Sequence, residues 1–256
     1  ELIGSDSPQA DAEVILMAVE ALNTLGIKDL SIDLALPTLA PAIIAELDLD
    51  EETATTLRAA LDRKDAMAVN ALSKQLGAEA TAQFSAMLTA TGPAEAALDT
   101  LDKLNLSKPA ADELAQLEAV VEKVRLGAVD LNLTVDPVES RGLEYHAGVT
   151  FTIFVHGARG ELGRGGRYLA GQIGDTGGEP AVGMTLYLDT VLRAMPATKA
   201  GKRLYVPMGT DLTEARNLRA EGWITVDGLT SDADMVKEAN RLGCTHFLSK
   251  GDIKTI

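Results

Sequence analysis

The sequence predicts an α+β chain, with strand-bearing segments on either side of a long helical stretch and a small α/β unit at the C-terminal end. Three observations carry this reading. Apolar and polar residues alternate through Leu30–Leu36 and again through Val129–Val135, the period of a half-buried strand. Between them, from Pro37 to about Gly127, strand signals disappear and Ala, Leu, Glu, Asp and Lys dominate. After residue 203, short apolar strands alternate with helical patterns. The expected division is a core over residues 1–196, with a helical insertion at about 37–127, and a small C-terminal α/β unit over 203–256.

In chain order, Ser7-Pro8 predicts a helix start, with a capping side chain and a proline in the first turn. Val14, Ile15, Val19, Leu22 and Leu25 follow at near-helical spacing, and Gly26 ends the run. The strand at Leu30–Leu36 comes next. Four to six short helices are expected through the insertion, broken near 47–50, 63–64, Gly77, Thr91-Gly92-Pro93 and Ser107-Lys108-Pro109. Val149–Val155 is rich in β-branched and aromatic residues and predicts a strand flanked by glycine-dense loops. Pro180–Leu188 begins as a strand and runs into a helix reaching Met195, and 196–202 reads as a linker. Strands are expected at 203–207, 223–226 and 246–248, helices at 212–220 and 232–242, and right-handed crossovers make a mainly parallel sheet.

Of the 256 residues, 46% are hydrophobic and 24% charged, the balance of an ordinary globular protein, but aromatics are only 4%. The core must therefore be built from Leu, Ala, Ile and Val. No apolar run reaches the ~20 residues of a membrane span, and no signal peptide opens the chain. The single cysteine, Cys244, excludes an internal disulfide and suits a reducing cytoplasm. It is expected to be a buried thiol, the C-x-H pairing with His246 being a weak sign of chemistry. No two histidines have metal-ligand spacing, so neither a metal nor a cofactor is expected. The net charge of −15 would repel tRNA or DNA from the average surface.

The chemistry concentrates between Asp136 and Tyr168. Four of the twelve arginines lie there (Arg141, Arg159, Arg164, Arg167), with Glu139, Glu144 and Glu161, two of the four tyrosines (Tyr145, Tyr168) and two of the three histidines. A guanidinium can hold a carboxylate or phosphate in a bidentate fork. A carboxylate can hold an ammonium or an imidazole N–H. These are the groups of an amino-acid pocket. The same residues also fit a β-hairpin with glycine turns and a solvated charged face. The glycine-rich run matches neither a P-loop nor a dinucleotide fingerprint.

Arg141-Gly142-Leu143-Glu144-Tyr145-His146-Ala147-Gly148-Val149-Thr150-Phe151 resembles the R-G-L-D-Y-Y-T-G-x-x-F signature of histidyl-tRNA synthetases, and Gly165-Gly166-Arg167-Tyr168 resembles their G-G-R-Y-D element. More weakly, Glu1-Leu2-Ile3-Gly4 looks like the end of the family's motif 2, and Pro180-Ala181-Val182-Gly183 like the start of motif 3. The resemblance covers about 1–196 and implies a class II aminoacyl-tRNA synthetase-like antiparallel sheet with flanking helices. Motif 1 and the motif 2 arginine are then expected upstream of Glu1. Family motif 3 ends G-x-E-R, its arginine binding the ATP phosphates. Counting from Gly183 places Thr190 there, with Asp189 in the acidic position. A threonine cannot replace a fixed cation facing a triphosphate, and Arg193 would need a register shift to serve.

A histidyl-synthetase core without its ATP machinery is similar to the regulatory subunits of ATP phosphoribosyltransferase, a paralogous family acting at the first step of histidine biosynthesis. The resemblance implies a non-catalytic chain that binds histidine. It implies assembly with the short-form catalytic subunit, as a homodimer within a hetero-oligomer, with no tRNA and no membrane partner. By position, Arg141 would contact the ligand carboxylate or whatever replaces the adenylate phosphate, and Glu1 the ammonium or imidazole. Glu144 falls within the same pocket element, Tyr145 and His146 would line the ring, and Gly165, Gly166, Arg167 and Tyr168 would form the second element. Two other readings stand beside this one: a working ligase that activates histidine with ATP, and an unrelated binding module.

Overall fold

The computed structural model describes residues 1–139, 145–171, 177–197, 201–231 and 234–256. It divides into two compact units, Glu1–Pro196 and Ala197–Ile256.

The first unit opens with β1 (Leu2–Ile3), α1 (Pro8–Thr24) and β2 (Leu30–Ala35). The insertion carries α2 (Leu39–Ile44), α3 (Glu51–Asp62), α4 (Ala66–Ala71), α5 (Ser73–Thr89), β3 (Gly92–Pro93), α6 (Ala94–Leu101) and α7 (Lys108–Gly127). Strands β4 (Asn132–Asp136), β5 (His146–Val155), β6 (Gly163–Ala170) and β7 (Glu179–Leu186) follow, then α8 (Leu188–Ala194). The sheet order is β1-β7-β6-β5-β2-β4-β3, antiparallel throughout except where β2 meets β4. This is the α+β arrangement that the sequence predicts.

Local chemistry sets the helix boundaries. Pro8 and Pro109 sit in the first turns of α1 and α7, where a missing N–H costs no helical bond. The side chains of Asp50 and Asp65 accept from the backbone N–H of Thr53 and Ala68, capping α3 and α4. Gly77, at φ 78° and ψ 167°, splits α5 into two helical runs. Between α3 and α4 the chain turns at Lys64, whose φ of 54° is left-handed.

The two faces of the sheet differ because side chains alternate along each strand. Ile32 and Leu34 of β2, Leu133 and Val135 of β4, Phe151 and Ile153 of β5 and Val182 of β7 are buried on one face. They share a core with Val14, Ile15 and Leu22 of α1 and Leu117, Val120 and Val124 of α7. The opposite face is polar. Across neighbouring strands it carries Asp33, Thr134, Thr152, Arg164 and Thr185 in one register row.

Three elements differ from the sequence expectation. The Gly92-Pro93 break pairs with β4 as a two-residue strand at the sheet edge, a place where proline's missing donor is tolerated. The glycine-dense stretch after Val155 is in large part a strand, β6, so the arrangement there is a β-hairpin. And α7, at 20 residues, is one of the longest helices described.

In the second unit, β8 (Arg203–Val206), α9 (Leu212–Ala220), β9 (Ile224–Asp227), α10 (Met235–Arg241), β10 (His246–Ser249) and β11 (Asp252–Thr255) form a four-stranded sheet of order β11-β10-β8-β9. Two of its three pairings, β10–β8 and β8–β9, are parallel, and the third, to β11, is an antiparallel edge that the sequence did not suggest. Leu204, Val206, Leu218 and Leu248 make one small core, and Tyr205, Ala239 and Cys244 another. Burial pushes the Cys244 thiol above its ordinary pKa, as suits a structural cysteine. His246 lies edge-on to Trp223 at 4.8 Å, with Nδ1 2.8 Å from the Thr245 hydroxyl. No helix among the described residues is long and apolar enough to cross a membrane.

Candidate functional site

On the polar face, one register row runs Ala35, Thr150, Gly166, Gly183 and, at the β1 edge, Glu1. Two glycines face each other in adjacent strands, so β6 and β7 put no side chain of their own over this row, and it forms a trough floored by bare backbone that neighbouring side chains overhang. Room for a side chain at Gly166 is absent: a Cβ would come within 2.7 Å of His146 Cδ2 and of Thr150 Cγ2, and 2.9 Å of the Thr150 Cα. At Gly183 a Cβ would meet Glu1 Cγ at 2.9 Å. The acidic side chain therefore lies over the second glycine, and the His146 ring leans over the first.

One wall of the trough is aromatic. His146 and Tyr168 are register partners across β5 and β6. The Tyr145 ring lies against His146 at 3.9 Å between centroids and 36° between planes, and meets Tyr168 edge-on at 6.3 Å. Burial, and then the Glu1 carboxylate facing it, hold the Tyr168 hydroxyl above its ordinary pKa. Thus Glu1, Tyr145, His146, Gly166 and Tyr168, five of the residues singled out in the sequence, come together from three chain segments. A flat apolar wall, a carboxylate and a hydroxyl can receive a planar ring bearing N–H groups together with an ammonium.

The other residues singled out are placed differently. Gly165 faces the opposite side of β6, packed against the Phe151 ring and the Gly183 backbone carbonyl. Arg167, on that same side by alternation, reaches the start of α1. It donates to the Ser5 and Ser7 carbonyls at 3.0 and 2.9 Å and pairs with the buried Asp11 carboxylate. Its guanidinium joins helix to sheet and does not face the trough. Burial raises the Asp11 pKa, with Arg167 opposing. Arg141 and Glu144 lie outside the described residues.

Thr190, at the position counted from motif 3, is buried in the first turn of α8. Arg193 is tied to its own helix, donating to Asp189 at 3.0 Å and to the Thr190 hydroxyl at 2.9 Å. It lines a hollow with Val155, His156 and Arg159, beside the β5–β6 turn. The register shift that would bring it over the trough is not made.

Arg164 is not among the pocket residues expected from the two motifs. It stands on the polar face one register row from the two glycines, paired with Thr152 and Thr185. Alternation from Gly166 and Tyr168, both of even number on the same strand, is the signal that could have found it.

A second polar cluster lies on the same face. Asp136, at the end of β4, pairs with Lys64 and accepts from the Val138 N–H at 3.3 Å and the Thr91 hydroxyl at 3.5 Å. Asp33 accepts from Thr134 at 2.6 Å, and burial raises its pKa.

Comparison with known proteins fits this geometry. The histidyl-tRNA synthetase family profile matches residues 1–191. A protein named ATP phosphoribosyltransferase regulatory subunit from Paramagnetospirillum magneticum is 49% identical over 253 residues, covering 99% of this chain and 64% of the relative. One of the same name from Rhodospirillum centenum is 46% identical, covering 100% and 64%. The chain thus spans somewhat under two thirds of the length of these relatives. Among solved structures, an ATP phosphoribosyltransferase regulatory subunit/histidyl-tRNA synthetase from Bacillus halodurans superposes with a TM-score of 0.73 at 19% identity, over 93% of this chain and 64% of that one. A chain of an ATP phosphoribosyl transferase complex from Thermotoga maritima superposes with a TM-score of 0.58 at 13% identity, over 72% and 63%. Both likenesses establish the fold, which is that of the class II synthetase core. The chain belongs to the histidyl-tRNA synthetase family.

Proposed function

We propose that this member of the family is the regulatory subunit of an ATP phosphoribosyltransferase, that it binds histidine in the trough, and that it makes no aminoacyl adenylate itself. The observation that carries the reading is the Glu1 carboxylate set with an aromatic wall, in a chain whose motif 3 cation position is a buried threonine. The Glu1 carboxylate and the Tyr145–His146–Tyr168 wall are complementary to histidine, whereas the position that must offer a cation to a triphosphate is Thr190. The identity to regulatory subunits of two other bacteria supports it further. Arg141 and Glu144, where the family signature places them, complete the pocket on this reading.

In this site the ammonium of histidine pairs with Glu1, and the imidazole packs on the aromatic wall, with Tyr168 able to donate to or accept from a ring nitrogen. The chain moves no proton and forms no bond; it binds. Feedback then follows from linkage. Histidine alters the activity of a catalytic subunit only so far as it binds the two states of the assembly with different affinity. The partner is the short-form catalytic subunit, assembled around a homodimer of this chain in the cytoplasm. Working as a ligase would need a cation over the trough near Thr190, and Arg193 is held away from it by Asp189 and Thr190.

The test joins two measurements on the full chain. Calorimetry should detect histidine binding, and ATP–pyrophosphate exchange should stay at background with histidine present. Co-expression with a short-form catalytic subunit should yield a complex whose activity responds to histidine. Histidine-dependent exchange above background would overturn the reading in favour of the ligase.

A further inference from the structure

The trough has a carboxylate at one end and an aromatic wall along one side, but a zwitterionic amino acid also brings a negative group. Of the arginines in the chemistry-rich segment, Arg167 is committed to Asp11, Ser5 and Ser7. Arg159, with Arg193, lines the hollow beside the β5–β6 turn. Arg141 lies outside the described residues, and of the three arginines that are described Arg164 is the one on the face of the trough. It is the diagonal neighbour of Gly183 across β6 and β7, so the two Cα atoms lie about 7–8 Å apart. Glu1 lies over Gly183. The same face of the sheet thus carries a cation and an anion, the two charges that a zwitterionic amino acid calls for.

The side chain is also held in a way that suits a binding fork. Nε donates to the Tyr187 hydroxyl at 2.7 Å, which fixes the stem and leaves the two terminal nitrogens out of that bond. Glu161 Oε1 stands 4.0 Å from Nη2, too far for a hydrogen bond. No hydrogen bond from either terminal nitrogen to another described residue is present, and the side chain is about half exposed, at 47%. The Tyr145 hydroxyl lies within electrostatic reach of the guanidinium. Thr152 and Thr185, the register partners of Arg164, flank it with hydroxyls.

We infer that Arg164 is the carboxylate-binding residue of the trough, and that it selects for an α-amino acid over the corresponding amine. The inference rests on the histidine reading and names the group that reads the carboxylate. The hydrogen bond to Tyr187 makes the guanidinium a pre-organised, bidentate donor, which lysine cannot reproduce.

Calorimetry on the full chain tests it with two probes, histidine and histamine, the second lacking only the carboxylate. The wild-type chain should bind histidine at least about tenfold more tightly than histamine. Arg164→Gln should weaken histidine by about 10- to 100-fold, leave histamine within about twofold, and so abolish the preference. Arg164→Lys should recover only part of it. Tyr187→Phe, which frees the stem without removing the charge, should weaken histidine less than Arg164→Gln does. If Arg164→Gln binds histidine as the wild type does, or loses histamine to the same degree, the carboxylate role is overturned while the histidine reading stands. A wild-type chain that binds neither probe overturns both.

Discussion

Replacing Lys64 with methionine removes the charged partner of a carboxylate that is nearly sealed from water. The Asp136 side chain is 5% exposed and that of Lys64 41%. Breaking a fully buried pair by deleting one partner costs about 3–5 kcal/mol. Here Asp136 keeps the neutral donors Val138 and Thr91, and water can approach from the lysine side, so the expected loss is about 2 kcal/mol. Lys64 also sits at φ 54°, a backbone state that costs a non-glycine residue roughly 1 kcal/mol. Lys64→Gly loses the same ion pair but sheds that strain, so it should be about 1 kcal/mol more stable than Lys64→Met. Urea unfolding of the full chain, followed by far-UV circular dichroism, measures both differences. A methionine variant within about 0.5 kcal/mol of wild type would refute the assigned role of the pair, that being the usual range for a surface substitution. A glycine variant less stable than the methionine one would refute the strain argument. The deficit should also depend on pH. The Asp33 pKa is raised by burial and by the Asp136 charge, and lowered by Lys64. A raised carboxyl contributes stability that is full below its ordinary pKa and lost as pH rises through the folded value. Without Lys64 the folded value climbs further, so the methionine variant should lose more at pH 7 than at pH 4.

Two more predictions concern carboxyls held above their ordinary pKa. Arg167→Met leaves Asp11 buried without its cation and detaches the start of α1 from β6, and should cost about 3–5 kcal/mol in the same urea assay. Asp11 is already raised by burial, so that loss should shrink toward acid pH, where the carboxyl goes neutral. Glu118 on α7 is pushed up to about 7 by its hydrogen bond to Asp102, by burial and by the Asp102 charge. Its contribution is full below about 4.5 and is lost as pH rises through about 7, so Glu118→Gln should match wild type near pH 5 and exceed it by about 1 kcal/mol near pH 8, after solvent screening. A stability difference that does not change between those two pH values would count against the shared proton.

Elements with a local cause were legible in the sequence. Ser7-Pro8 and Ser107-Lys108-Pro109 start α1 and α7 because proline fixes the first turn. The alternation at Leu30–Ala35 marks a strand with one buried face. The elements missed have causes that lie in their neighbours. Gly163, Gly165 and Gly166 carry no strand pattern, yet they form β6 through pairing with β5 and β7, and those neighbours leave no volume for a Cβ at any of the three. β3 and β11 exist only through the strands they pair with. In the site, the aromatic residues around the glycines were legible because the two motif elements carry them, and Glu1 through the weaker likeness to motif 2. The two arginines were sorted the other way. Arg167 belongs to the motif, but alternation turns it toward α1. Arg164 lies outside the motif, and alternation turns it toward the trough. The parity of a residue along β6 was decisive, and it can be counted only once β6 is known to be a strand.

The irregular pairing in β5 has the same arithmetic. Thr150 pairs with Gly166 and His146 with Tyr168, so four steps on one strand match two on the other, and the surplus is two residues. An even surplus lets His146 and Thr150 emerge on the same side. Losing one residue from Ala147–Val149 would rotate His146 toward the helices and replace it in the wall with the backbone-facing side of its neighbour, whereas losing two would straighten the strand and leave the wall's handedness intact. Length variation in this stretch should therefore be tolerated in steps of two and rejected in steps of one, a rule of counting that sets which side of the sheet the His146 ring reaches.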